Sequence, residues 1–67
     1  MFRRKSNKFE VGDLVRFVGG KPGIGIILEV SDRSLDKSQS VWVYYVHYAT
    51  GMLRWEMEYG LHKIAAA

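Results

Sequence analysis

Apolar residues in this chain fall in short blocks separated by glycine or by polar runs, the pattern of β-strands and not of helices. Leu14-Val15-Arg16-Phe17-Val18 is rich in strand formers and is entered through Gly12-Asp13. Gly19-Gly20-Lys21-Pro22-Gly23 then gives a clear loop signal. Ile24 to Val30 is almost continuously apolar, which suits a strand covered on much of both faces, and Gly25 within it marks a bulge or a close backbone approach. Ser31 to Ser40 is polar except for Leu35 and reads as a long surface loop. Val41 to Tyr59 holds both tryptophans and all four tyrosines, and reads as two strands joined at Ala49-Thr50-Gly51. Glu58 to Leu61 is too short and glycine-broken for an α-helix but suits one 3₁₀ turn, and His62-Lys63-Ile64 makes a last strand. The expected architecture is all-β: a five-stranded, closed or nearly closed small barrel spanning residues 9–64, with a basic N-terminal arm at 1–8 and a tail at 65–67.

Turn chemistry sets the register of the aromatic hairpin. A two-residue type I′ turn on Thr50-Gly51 would force the β-branched Thr50 to positive φ, whereas a three-residue loop asks this only of Gly51. The three-residue loop places Tyr48 opposite Met52, His47 opposite Leu53, Tyr45 opposite Trp55 and Val43 opposite Met57. Side chains alternate between faces. Val41, Val43, Tyr45, Leu53, Trp55 and Met57 are accordingly expected in the core with Val15, Phe17, Ile27, Val30 and Ile64. Trp42, Tyr44, Val46, Tyr48 and Met52, beside Arg54, Glu56 and Glu58, are expected on the outside as an exposed aromatic face.

Composition narrows the picture. A chain of 67 residues has room for one domain that buries roughly 60% of its unfolded surface. There is no cysteine, which removes disulfides and thiolate-bound zinc as staples. No apolar run approaches the ~20 residues of a membrane span, and no signal-type apolar segment follows the basic start; a soluble protein is expected. The net charge of +3 is concentrated in Arg3, Arg4, Lys5 and Lys8. From Phe9 onward six basic residues face seven acidic ones, a net charge of −1, so the basicity belongs to the arm.

Candidate chemistry is sparse. The Gly19–Gly23 loop lacks the spacing of a P-loop or a dinucleotide fingerprint. His47 and His62 show no metal-ligand spacing, and Glu56 and Glu58 have no nucleophile or ligand cluster beside them. Neither enzymatic activity, nor a cofactor, a metal site or a small-molecule substrate is expected.

The run V-G-D-L-V-R-F at Val11 to Phe17, the G-x-I-x-x-V at Gly25 to Val30, V-W-V-Y-Y-V and L-R-W-E together resemble the SH3-like small barrels, among them KOW and Tudor-type modules. The ending R-W-E-M-E-Y-G-L-H-K-I at Arg54 to Ile64 is more closely similar to small SH3-like proteins encoded by tailed bacteriophages. The resemblance implies a binding module, in the host cytoplasm or in a virion. The first expectation is a non-enzymatic protein–protein interaction module that contacts a neighbouring subunit or another copy through Trp42, Tyr44, Tyr48, Met52 and Arg54, with Phe2 of the arm as a latch. The alternative is a nucleic-acid-binding module in which Arg3, Arg4, Lys5, Lys8 and Arg54 contact phosphates while aromatic rings stack on bases.

Overall fold

The computed structural model describes residues 8–33 and 41–67. They form β1 (Leu14–Phe17), β2 (Ile24–Asp32), β3 (Trp42–Tyr48), β4 (Leu53–Met57) and β5 (Leu61–Ala65), with a 3₁₀ turn at Glu58–Gly60 before the last strand. All pairings are antiparallel, in one sheet of order β4-β3-β2-β1-β5. The fold is thus all-β, five-stranded and roughly SH3-like, as expected. The sheet is not closed, however: β4 and β5 are its two edges. The arm residues Phe2, Arg3, Arg4 and Lys5, and most of the expected long loop, lie outside the described residues.

Two backbone features shape the sheet. Gly25 lies where β2 and β3 approach so closely that a Cβ would stand 2.6 Å from Val46 Cγ1 and 2.8 Å from the His47 carbonyl oxygen. It is the close approach, while the register shift lies beyond it between Ile27 and Glu29. Leu28 is the extra residue there, and it lets Ile27 and Val30, three apart, face the same side. The β3–β4 loop is the three-residue one: Tyr48 donates its N–H to the Met52 carbonyl at 2.8 Å, Gly51 donates to the Tyr48 carbonyl at 2.8 Å, and Gly51 takes φ 95°. His47 pairs with Leu53, Tyr45 with Trp55 and Val43 with Met57, the expected register.

The face assignment is corrected. The buried apolar cluster is Phe9, Val15, Ile27, Tyr44, Val46, Tyr48 and Leu61, with Phe17, Val30 and Trp42 packed against it. Val15, Phe17, Ile27 and Val30 are where they were expected. Leu53, Trp55, Met57 and Ile64, expected inside, are exposed, and Val41, Val43 and Tyr45 are half-buried. Tyr44 and Tyr48, expected outside, are 0% and 1% exposed. A register decides which residues oppose one another; which face then turns inward depends on how well each face satisfies its polar atoms once dry.

Asp13 ties the ends of this unit together. Its carboxylate accepts from the Glu10 N–H at 2.9 Å and from the Ala67 N–H at 3.1 Å, and pairs with Lys63 Nζ at 3.3 Å. The Glu10 N–H above all, with the Ala67 N–H and Lys63 adding to it, outweighs burial and holds the carboxyl below its ordinary value.

Candidate interaction surface

The inward face of the hairpin carries the polar groups. Tyr44 donates its hydroxyl to Glu58 Oε2 at 2.5 Å, and the same oxygen accepts the Lys8 backbone N–H at 3.1 Å. Tyr48 donates to Glu56 Oε2, which also receives Arg54 Nε at 3.0 Å and Arg54 Nη2 at 2.7 Å. The Arg54 guanidinium lies 5.1 Å from the centroid of the Phe17 ring and 5.7 Å from that of Tyr48, within cation–π range. Burial, and next the carboxylate each phenol bonds, raise the hydroxyls of Tyr44 and Tyr48 above their ordinary value. The bond to Glu56 likewise raises Arg54. No buried side-chain nitrogen or oxygen lacks a partner among the described residues.

The outward face carries the apolar groups. Across β2, β3 and β4, Ile26 sits beside His47 and His47 beside Leu53, while Glu29, Tyr45 and Trp55 form the next row and Ser31, Val43 and Met57 the one after. Leu53 is 49% exposed and Trp55 44%; Ile26, Leu28 and Met57 are exposed as well. The Trp55 ring packs on Tyr45 with centroids 5.0 Å apart and planes at 35°. Arg33 lies 5.7 Å from the Trp55 centroid. This surface pairs a large aromatic centre with flanking aliphatic side chains and one cation.

The expected site residues are scattered by this arrangement. Tyr44 and Tyr48 are enclosed and offer no contact surface to a partner; Trp42, on the same side, is half-buried against the core. Met52 is exposed. With Arg54, Lys21, Pro22 and Thr50 it lines an open groove of about 390 Å³ between the β1–β2 and β3–β4 turns. Arg54 is engaged by Glu56 and two rings, so its charge is largely satisfied within the chain. Lys8 is exposed and contributes its backbone to Glu58, while Phe2, Arg3, Arg4 and Lys5 fall outside the described residues. Sequence reasoning missed Leu53, Trp55, Met57, Ile26 and Leu28. A signal was present: Arg54, Glu56 and Glu58 share a face with Tyr44 and Tyr48, so that face carried its own donors and acceptors.

Among the described residues no three histidine, aspartate or glutamate side chains come together as a metal site, and no helix is long and apolar enough to cross a membrane. No family model, no curated protein and no solved structure matches the chain.

Proposed function

We propose that this protein is a non-enzymatic protein–protein interaction module whose contact surface is the outer face of β2–β4 centred on Trp55. One observation carries the reading. The chain buries Tyr44, Tyr48 and Glu56, tied to Arg54 at the surface, and leaves Leu53, Trp55, Met57, Ile26 and Leu28 in solvent. Contiguous exposed apolar surface on a small domain marks an interaction site, and tryptophan is enriched among the residues that carry binding energy at interfaces. Trp55 is already backed by Tyr45, so little side-chain freedom is left to lose on binding. The resemblance of Arg54 to Ile64 to small phage-encoded SH3-like proteins supports a role as a structural or accessory component, in the host cytoplasm or in the particle. The nucleic-acid reading draws less support, because Arg54 is engaged by Glu56 and the described face around Trp55 carries Glu29 as well as Arg33.

The test uses the chain immobilised against an extract of its native source. Replacing Leu28 and Leu53 together by serine should reduce specific capture at least about tenfold, equivalent to about 1.4 kcal/mol. Replacing Val18 and Tyr59, exposed elsewhere, should leave it unchanged. Equal capture by both variants at unchanged thermal stability would refute the proposed surface.

A further inference from the structure

β4 ends the sheet on one side, and its pairing with β3 fixes which backbone groups remain free. The Tyr48 N–H to Met52 carbonyl bond continues along the register as hydrogen-bonded pairs Val46–Arg54 and Tyr44–Glu56. Alternation then turns the N–H and C=O groups of Leu53 and Trp55 away from β3. Among the described residues no backbone segment bonds to that edge. A row of unpaired N–H and C=O groups is a template for another strand.

The sequence of β4 is L-R-W-E-M, and its charges are complementary to their own reverse. An antiparallel copy centred on Trp55 places Leu53 opposite Met57 of the second copy and Arg54 opposite Glu56 of the second copy. Trp55 then meets its equivalent as a hydrogen-bonded pair, and Arg54–Glu56 becomes a non-hydrogen-bonded pair, the kind in which side chains approach most closely. A slip of two residues one way sets Arg54 against Arg54, and the other way sets Glu56 against Glu56. Inward-pointing charges usually keep an edge from pairing; here Arg54 and Glu56 already bridge within each copy, and the centred register sets each opposite the other's sign, whereas either slip sets like charges face to face. The other edge, β5, reads L-H-K-I-A and has no acidic residue to offer a copy of itself.

We infer that two copies of this chain associate about a two-fold axis through β4, antiparallel and centred on Trp55, joining two five-stranded sheets into one. This rests on the reading of the β4 region as an interaction surface and adds a second copy along its edge, which leaves the outer face of β2–β4 open. The contact is isologous, so it closes at two copies.

Sedimentation equilibrium of the full chain over a wide concentration range should show a monomer–dimer equilibrium. Trp55→Glu and Trp55→Lys should each be monomeric, because like charges would face across the axis, and an equimolar mixture of the two should recover the dimer. Backbone amide exchange gives a second measurement that needs no substitution: the Leu53 and Trp55 amides should be protected at high concentration and exchange freely on dilution. Wild-type chain that stays monomeric at about millimolar concentration overturns the inference, as does a dimer that persists in either Trp55 variant alone or amides unprotected at every concentration. A monomeric wild type that still captures proteins through Leu28 and Leu53 refutes self-pairing and leaves the proposed surface standing, so the two fail separately.

Discussion

Tyr44 and Tyr48 show how single residues set the inner face of this sheet. Each buries a large ring and presents a hydroxyl that would cost about 1–3 kcal/mol if left dry and unpaired, and each finds a carboxylate, Glu58 or Glu56, on the same face. Both phenols are raised above the ordinary 10.0 by burial first and the neighbouring carboxylate second. A raised value means that the folded chain keeps protons which the unfolded chain releases. The stability each contributes is therefore complete below pH 10 and is lost as pH rises through the folded value. Urea unfolding followed from pH 8 upward should show wild-type stability declining above pH 10. Tyr48→Phe should be destabilised by about 1–3 kcal/mol at pH 8, since Glu56 keeps Arg54 but loses the phenol, and its decline above pH 10 should be shallower. Parallel curves for the two proteins would mean that the Tyr48–Glu56 bond contributes nothing to the alkaline limit.

At the level of strands, β2 and β3 are held together by a contact that only glycine permits. A methyl group on Gly25 would meet Val46 Cγ1, the His47 carbonyl and, at 3.0 Å, Tyr48 Cα; two of those three atoms belong to the backbone and cannot turn aside. Gly25→Ala should cost about 1–3 kcal/mol, the usual penalty of overpacking, read as a fall in thermal midpoint of about 4–8 °C per kcal/mol. A midpoint within 2 °C of wild type (~0.5 kcal/mol or less) would show that the strands separate without penalty. Gly25 and Gly51 were both legible in the sequence, because a glycine inside an apolar run and a glycine ending a hairpin loop each have few structural explanations. The register followed from Gly51 and the five strands along the chain from the spacing of the apolar blocks. The facing of the hairpin did not follow, because both of its faces are rich in aromatic and aliphatic residues and period-two alternation is blind to which side is the core. Placing Glu56 and Glu58 outside as solvated charges took Tyr44 and Tyr48 with them. In the structure the phenols and Arg54 satisfy those carboxylates, and the more uniformly apolar side, Leu53-x-Trp55-x-Met57, is left exposed.

For the molecule as a whole, what matters is how little core there is. The buried apolar cluster of the described residues numbers seven, and one of them, Phe9, comes from ahead of the first strand. Its ring meets Tyr44 edge-on, with centroids 5.2 Å apart and planes at 74°, and the neighbouring Lys8 N–H reaches the Glu58 carboxylate that Tyr44 also bonds. The segment before β1 is thereby part of the folded core. A domain of this size has a total stability of only about 3–10 kcal/mol, at roughly 0.05–0.15 kcal/mol per residue, and truncating a buried phenylalanine to alanine removes about 3–5 kcal/mol. Phe9→Ala should therefore leave a large unfolded population at 25 °C, seen as loss of near-ultraviolet ellipticity and of amide protection across β3. Phe9→Leu, which keeps most of the volume, should fold with a lowered midpoint. If Phe9→Ala melts with wild-type cooperativity and midpoint, the core is closed by the strands alone and the segment ahead of β1 only rests against it.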